Sequence, residues 1–358
     1  MNKKHGIYIK IVALIGVFAV LISLFPACSS TKSKDYTSFA MGSAITAKLY
    51  GTDTEALDTL WDEICTSVKA SDDAISATNE ASDISLLNSH GSIIADDYTI
   101  SLLQKVILLC NTLDRKVDIT MGAVTELWGF TSDNPHVPSD EEIKTALATV
   151  NLDDVAIAEG TKTISIGKNQ KLDLGAFGKG EACDIMRDAL LENNISACIS
   201  FGGNILVTNS APGKKGWNIG LRDPNGTEND VFASLTLSPD DNSSLCGSTS
   251  GSYEKCFEEN GKKYHHIIDP STGYPVETDL ISVSVICSSG LNADALSTAL
   301  FINGLNDMAN TWLDAFRAEA VFVYSDGSVY VTDGLSQNFT ITNTSSYNII
   351  TYEEAVSK

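Results

Sequence analysis

The order in which helical and strand-like patterns follow one another limits the fold of this chain more than any other sequence feature. In the first half, four apolar residues recur at helical spacing, Leu57, Leu60, Ile64 and Val68, and residues 100–113 form a second apolar helix pattern. The second half contains strand-like runs at residues 197–201, 205–208, 217–221, 232–237, 281–287 and 320–324. Helix patterns at residues 181–193 and 292–303 stand between these runs. This order predicts an α+β fold of mixed layers rather than a repeated βαβ unit.

The first residues have the features of an export signal. Lys3, Lys4 and Lys10 precede an apolar run at residues 11–25, which is shorter than the roughly 20 residues that a membrane-spanning helix needs. Cys28 follows a small residue, so the segment resembles a lipoprotein signal with Phe25 where leucine is usual. An ordinary secretory signal and an uncleaved anchor are the alternatives.

These features predict three regions. Residues 1–27 are a lipoprotein signal peptide, residues 28–37 are a tether, and residues 38–358 form the folded domain. Cys28 is the predicted lipidation site. The domain is therefore expected to be exported and anchored by lipid to the outer face of the cell membrane or to the periplasmic side of an envelope membrane.

Charge and cysteine content exclude several classes of function. The chain has 24 Lys and Arg against 46 Asp and Glu, a net charge of −22. Such an acidic chain is not suited to neutralising many phosphates, so a nucleic acid is not an expected partner. The seven cysteines after Cys28 are widely spaced and contain no C-x-x-C pair, which argues against a disulfide framework and a zinc site.

Two segments contain residues that could bind phosphate and a metal ion. Residues 171–180 contain three glycines, at positions 175, 178 and 180, and lead into a helix pattern. The free N–H groups at the start of a helix attract an anion. A structural turn with a solvated Lys179 is the alternative. Asp294 and Thr298 lie four residues apart on one helical face, and their oxygens suit Mg²⁺. The alternative there is an exposed aspartate and a threonine that bonds to its own backbone.

Two further segments could supply a base and a flat binding surface. His265 and His266 are adjacent on a strand pattern, so only one of them can point to a given site, and a structural histidine is the alternative. Residues 118–130, with Trp128 and Phe130, and residues 41–43 combine apolar groups with glycines that could accept a ring system. Core packing explains these aromatic residues equally well.

In their order and spacing, these segments resemble the ApbE family of FAD:protein FMN transferases. The resemblance covers residues 39–304 and includes Met41-Gly-Ser43, Ser85-Leu-Leu-Asn88, Asp118 to Phe130, Leu172-Asp-Leu-Gly175, Lys179-Gly180, Ser200-Phe-Gly-Gly-Asn204, Thr249-Ser-Gly-Ser-Tyr253, His266-Ile-Ile-Asp-Pro270, Thr272-Gly-Tyr-Pro275 and Ala293 to Thr298. It implies largely antiparallel sheets packed with helices.

The resemblance also implies roles for individual residues. Asp294 and Thr298 would bind Mg²⁺ through their side chains, and Ala176 would bind it through its carbonyl. Residues at FAD-contact positions are Met41, Thr78, Ile119, Thr120, Met121, Asp173, Lys179 and Ile268. His266 matches a catalytic base, so His266 and Asp294 are the predicted catalytic residues.

The implied activity is the Mg²⁺-dependent transfer of FMN from FAD to a Ser or Thr hydroxyl of an exported flavoprotein, with release of AMP. The acceptor would contain an Asp-x-x-(Ser/Thr)-Gly-Ala-Thr-like segment. Asp269 to Gly273 is superficially similar, but Tyr274 and Pro275 follow it, so we interpret it as a turn of the enzyme itself. An FAD pyrophosphatase and a non-catalytic flavin-binding lipoprotein are the alternative functions.

Overall fold

A computed structural model describes residues 31–227 and 229–358 of the protein. Helices within these residues overlap all four predicted helix patterns. Their bounds are α1 Thr54–Ile75, α2 Asp83–His90, α3 Asp97–Thr112, α4 Gly122–Trp128, α5 Asp140–Leu147, α6 Gly178–Glu192, α7 Gly290–Asn303, α8 Asp307–Phe316, α9 Asp333–Ser336 and α10 Tyr352–Val356.

The strands include all six predicted runs. Their bounds are β1 Lys32–Ala40, β2 Ser43–Gly51, β3 Ser92–Ile94, β4 Ala156–Ala158, β5 Thr163–Ser165, β6 Ser196–Phe201, β7 Asn204–Thr208, β8 Trp217–Arg222, β9 Val231–Leu237, β10 Ser244–Gly251, β11 Cys256–Glu259, β12 Lys262–His265, β13 Leu280–Cys287, β14 Glu319–Tyr324, β15 Ser328–Val331, β16 Phe339–Ile341 and β17 Asn348–Ile349.

One large sheet organises the domain. Its strand order is β1-β2-β6-β7-β10-β13-β14-β15-β17, and its neighbours are antiparallel except for the parallel pair β15 and β17. Smaller sheets are formed by β11-β12, by β16-β9-β8 and by β3-β5-β4. The predicted α+β class with largely antiparallel sheets is confirmed.

The two faces of the large sheet bury different partners because side chains alternate along each strand. On β13, Val283 and Val285 pack in a core that includes α7 residues such as Leu296. Ile286 points the other way and packs with Leu235 of the three-stranded sheet. The large sheet therefore lies between a helical layer and a second sheet, and the helical layer contains the predicted site residues of α6 and α7.

The predicted tether, residues 28–37, is wrong from Lys32 onward. Strand β1 pairs with β2 along its whole length, beginning with Lys32 opposite Gly51. The segment has a tether-like composition because an edge strand of an antiparallel sheet needs only one covered face. On that face, Tyr36 stacks on Trp61 with their ring centroids 5.3 Å apart.

The predicted signal peptide and Cys28 lie outside the residues that the structure describes. From residue 31 to the last residue, with residue 228 left out, no helix combines the length and the apolar character needed to cross a bilayer.

Candidate active site

The segment that leads into the glycine-rich turn is fixed by hydrogen bonds from two directions. The side-chain amide of Asn88 accepts from the N–H of Leu172 at 2.7 Å and donates to the Leu172 carbonyl at 2.9 Å. The N–H of Asp173 donates to the carbonyl of Ile119 at 2.7 Å. These bonds bring the predicted FAD-contact stretch, residues 119–121, alongside Asp173.

Two polar side chains in this region are engaged within the protein. The carboxylate of Asp173 accepts from the N–H of Gly175 and from the hydroxyl of Thr125, both at 2.8 Å. Thr120 is buried, and its hydroxyl donates to Asp118 Oδ1 at 2.6 Å. Asp173 therefore holds the shape of the segment that precedes α6, and Thr120 holds that of the segment that precedes α4.

The N-terminus of α6 crosses α7 at two glycines that are in close contact. A Cβ on Gly180 would lie 2.4 Å from the carbonyl oxygen of Gly290, so a side chain does not fit there. The N–H of Gly180 donates to Asp294 Oδ2 at 2.9 Å, and Asp294 is only 4% exposed. Lys179 Nζ lies 3.9 Å from the other carboxylate oxygen, Oδ1. A helix N-terminus, a lysine and a buried carboxylate thus meet at this crossing.

The Gly180 N–H lies in the first turn of α6, where main-chain N–H groups have no acceptor within the helix, and it bonds to Asp294 instead. The carbonyl of Ala176 stands two residues before this helix begins. Among the described residues, no group donates a hydrogen bond to the Ala176 carbonyl. The predicted role of Ala176 as a ligand is compatible with this unbonded oxygen and stays a prediction.

Hydroxyl groups surround Asp294 and Thr298. Ser248 Oγ donates to Asp294 Oδ1 at 2.7 Å. Ser250 Oγ lies 3.1 Å from Thr298 Oγ1 and 2.9 Å from Ser297 Oγ. Thr298 Oγ1 also donates to the main-chain carbonyl of Asp294 at 3.3 Å. The two predicted metal ligands on α7 thus face two serines of strand β10.

The donor atoms at this position suit a hard cation. In the part of the chain that the structure describes, no three His, Cys, Asp or Glu side chains are grouped to hold a metal ion. The carboxylate of Asp294 and the hydroxyls of Ser248 and Thr298 beside it are oxygen donors of the kind that Mg²⁺ prefers, and so is the Ala176 carbonyl, four residues before Gly180. With one protein carboxylate, the ion would complete its shell with water and substrate phosphates. Asp294, Thr298 and Ala176 therefore fit Mg²⁺.

His266 has the properties of a buried, neutral base. Its main-chain N–H donates to the carbonyl of Lys255 at 3.0 Å, and its ring nitrogen Nδ1 is buried with no partner among the described residues. Burial lowers the pKa of His266 from 6.5 to about 4, and the positive charges of Lys255, His265 and Lys179 contribute further. The imidazole is therefore neutral and able to accept a proton at neutral pH.

His265 has a different environment from that of its neighbour. Its Nε2 lies 3.0 Å from the carbonyl oxygen of Val276, and its ring packs edge-on against Phe301 with the centroids 5.7 Å apart. Burial lowers the pKa of His265 as well. Of the two histidines, His265 is thus engaged in packing, and His266 has the free ring nitrogen.

The remaining predicted FAD-contact residues do not all lie in the same part of the structure. Ile268 packs in one apolar cluster with Met121 and Trp128. Met41 adopts a positive φ of 46°, its N–H donates to Asp72 at 2.9 Å, and its sulfur lies 3.6 Å from where a Cβ on Gly178 would stand. Thr78 is not linked to this group.

Thr78 lies in the exposed loop after α1. Its N–H donates to the hydroxyl of Ser76 at 3.3 Å, and its own hydroxyl lies 3.1 Å from the same oxygen. No hydrogen bond joins it to another predicted site residue within the described ranges.

Sequence reasoning missed three residues at this site. Asn204 ends one of the segments that support the family resemblance and Ser248 directly precedes another, but no role was predicted for either. Lys255 was not singled out at all; partial burial and the nearby charge of Lys179 lower its pKa. The run of small polar residues Ser248, Thr249 and Ser250 within one strand was the available signal for the serines.

A comparison of sequences defines the class of protein to which this arrangement belongs. The profile of the ApbE family matches residues 41–322. The chain belongs to the ApbE family, and the resemblance found from its motifs is confirmed.

Curated relatives and solved structures agree with this assignment. The FAD:protein FMN transferase of Treponema pallidum (strain Nichols) is 30% identical over 292 residues, which cover 76% of this chain and 79% of that protein. The FAD:protein FMN transferase of Klebsiella pneumoniae (strain 342) is 28% identical and covers 85% of this chain and 93% of its own length.

Solved structures share the fold over most of their length. The crystal structure of the ApbE protein from Thermotoga maritima MSB8 has a TM-score of 0.77 at 30% identity and covers 85% of this chain and 98% of that one. The apo form of Pseudomonas stutzeri flavinyl transferase ApbE has a TM-score of 0.73 at 26% identity, covering 86% and 97%.

Proposed function

We propose that this protein transfers FMN from FAD to a hydroxyl group of another exported protein and releases AMP. The observation that carries the proposal is the crossing of α6 and α7, where the buried carboxylate of Asp294 meets Lys179 and the Gly180 N–H. The names of the relatives support flavin transfer, and the donor set around Asp294 supports Mg²⁺ as the cofactor.

FAD would bind with its paired phosphates at this crossing. The N-terminus of α6 and the ammonium group of Lys179 attract negative charge. Mg²⁺ bound by Asp294, Thr298 and Ala176 would supply charge neutralisation for the diphosphate and for the departing AMP. The stretch from residue 119 to 121, with Met41, Asp173 and Ile268, would hold the rest of the dinucleotide.

His266 would activate the acceptor. Its neutral imidazole would take the proton from a Ser or Thr hydroxyl as the oxygen attacks the FMN-side phosphorus. A new phosphoester bond forms, the phosphoanhydride bond breaks, and its electron pair leaves with AMP. The lowered pKa keeps the His266 ring unprotonated at neutral pH, so a ring nitrogen has a lone pair that can accept the proton.

The acceptor would be another exported flavoprotein with an Asp-x-x-(Ser/Thr)-Gly-Ala-Thr-like segment. The similar segment of this chain is engaged in its own turn: Thr272, at the position of the acceptor hydroxyl, accepts from the Tyr274 N–H at 3.2 Å, and the Asp269 N–H donates to the Tyr274 carbonyl at 2.9 Å. This engagement supports the view that the segment is not the acceptor. Export and lipid anchoring through Cys28 belong to the same proposal.

Intact mass of an acceptor peptide tests the reaction. The protein is incubated with FAD, Mg²⁺ and a peptide that contains the acceptor segment, and a matched peptide has alanine in place of the hydroxyl residue. We expect a mass gain equal to FMN only on the hydroxyl peptide, with AMP in equal amount. FMN and AMP released with both peptides unmodified would define a pyrophosphatase, and intact FAD would define a binding protein.

A further inference from the structure

Three buried polar residues form a hydrogen-bonded row that ends at the predicted metal-binding carboxylate. Ser248 Oγ lies 2.7 Å from Asp294 Oδ1 and 3.1 Å from the side-chain oxygen of Asn204. Asn204 is 1% exposed and Ser248 is 2% exposed. The pair is fixed by the backbone, since Ser248 stands directly opposite Asn204 in the register of β10 and β7.

The protons in this row can be assigned in one consistent way. A serine hydroxyl has one proton, so Ser248 can donate to Asp294 or to Asn204 but not to both. The shorter contact is to the charged carboxylate, which is the stronger acceptor. The Asn204 Nδ2 is buried and has no partner among the described residues. Rotating this amide by half a turn lets its nitrogen donate to Ser248 Oγ while Ser248 donates to Asp294.

We propose that Asn204 and Ser248 are positioning residues that fix the orientation of the Asp294 carboxylate for its divalent cation. The inference rests on the proposed function. Gly180 N–H binds Oδ2 at 2.9 Å and Ser248 binds Oδ1, so both oxygens of the carboxylate are oriented by the protein. Each oxygen keeps a second lone pair for the cation.

The contribution of such partners is measurable without catalysis. Groups that orient a metal ligand typically contribute about 10-fold to 100-fold in metal affinity. Removing the Ser248 hydroxyl takes the donor away from Oδ1 and leaves the carboxylate oriented only through Gly180 N–H on Oδ2, so the ion meets a less well oriented ligand. Asn204 acts through Ser248, so its loss should matter only while the serine is present.

A pair of hydroxyl groups on β10 and its other neighbour, β13, provides a matched control. Thr249 Oγ1 and Ser284 Oγ lie 2.7 Å apart, with Ser284 on β13 and Thr249 between the two serines of β10. Because neighbouring residues of a strand point to opposite faces, this pair lies on the face away from α7. Ser284→Ala removes a buried hydroxyl without touching Asp294.

The test measures the affinity of Mn²⁺ by electron paramagnetic resonance and of Mg²⁺ by calorimetry, with and without ADP as a diphosphate probe. Ser248→Ala should weaken cation binding at least roughly 10-fold, whereas Ser248→Thr and Ser284→Ala should stay within about 3-fold of the parent protein. Asn204→Ala should weaken binding alone but add nothing to Ser248→Ala, which is the signature of coupled residues.

If folded Ser248→Ala binds the cations as tightly as the parent protein, the inference is overturned. If the effects of Ser248→Ala and Asn204→Ala add, Asn204 does not act through Ser248. If Ser248→Ala does not fold, Ser248→Cys replaces it, and a cysteine variant that binds Mn²⁺ as tightly as Ser248→Thr would overturn the inference as well. Failure of the parent protein to bind either cation would instead refute the Mg²⁺ site of the proposed function. The two failures are thereby distinguished.

Discussion

Protonation of His266 should destabilise the folded protein between pH 7 and pH 4. The folded-state pKa is about 4, because burial and the charges of Lys255, His265 and Lys179 disfavour the imidazolium. In the unfolded chain the ring has its ordinary pKa of about 6.5. Between these two values the unfolded chain binds the proton and the folded protein does not, so a falling pH favours unfolding.

The size of the effect follows from the separation of the two pKa values. Each pH unit of separation is worth about 1.4 kcal/mol. The difference between 6.5 and about 4 therefore corresponds to about 3 kcal/mol of unfolding free energy lost from pH 7 to pH 4. The stabilisation is present above pH 6.5 and is lost as the pH falls toward the folded-state pKa.

Urea unfolding of the protein and of His266→Gln at several pH values measures this effect. The variant lacks the titrating ring, so its free energy of unfolding should fall by about 3 kcal/mol less than that of the parent protein over the same range. His136→Gln serves as the control because His136 has an exposed side chain, and its pH dependence should follow the parent's. In the free enzyme, the acid limb of kcat/KM should also have a pKa near 4.

Two results would refute this reasoning. Identical pH dependence of unfolding in the protein and in His266→Gln would show that the ring titrates alike in the folded and unfolded states. An acid limb of kcat/KM near pH 6.5 would show that the base is solvated in the free enzyme, or that another group is the base.

Three further substitutions test separate parts of the structure. Asp294→Asn should slow FMN transfer at least roughly 100-fold, because it removes the charge that faces the cation and the phosphates; intact mass of the acceptor peptide measures the rate. Gly180→Ala should lower the free energy of unfolding in urea by about 1–3 kcal/mol, because its Cβ would lie 2.4 Å from the Gly290 oxygen. In the control Gly160→Ala, the Cβ would meet nothing within 4 Å, so the loss should be about 0.5 kcal/mol or less. Cys28→Ser should abolish palmitate labelling and release the protein from membranes.

Each of these has an outcome that contradicts it. If Asp294→Asn transfers FMN at the parental rate, the metal assignment is wrong. The control is Asp240→Asn, which changes an exposed aspartate in a loop and should transfer at the parental rate. Equal costs at the two glycines would contradict the close contact of α6 and α7. Palmitate on Cys28→Ser would place the lipid on another residue, and Cys256→Ser, which changes an exposed cysteine, should remain labelled and membrane-bound.

The long elements could be predicted from sequence because their apolar periodicity reflects burial directly. Helix α1 buries Leu57, Leu60, Ile64 and Val68, the residues whose spacing predicted it. Strand β1 was missed because it contains few apolar residues and its pairing comes from main-chain bonds to β2, which leave no trace in side-chain composition.

The environments of the candidate site residues could not be predicted from the sequence. For Asp294 the sequence left open an exposed aspartate, and the structure buries it at 4% exposure. The alternative for Thr298, a bond to its own backbone, is also present, at 3.3 Å. Ser248 could not be assigned a role, because its partners Asn204 and Asp294 lie 44 and 46 residues away along the chain. These three residues come together only because β7 pairs with β10 and α7 packs against β10.

The position of the first residue of β1 has a consequence for how the enzyme would meet its acceptor. If Cys28 is lipidated as we propose, four peptide units separate it from Lys32, the start of the edge strand. Such a link spans at most about 14 Å when fully extended. The anchored domain would then lie close against the lipid headgroups, so an acceptor protein would have to come to the same membrane surface to meet it.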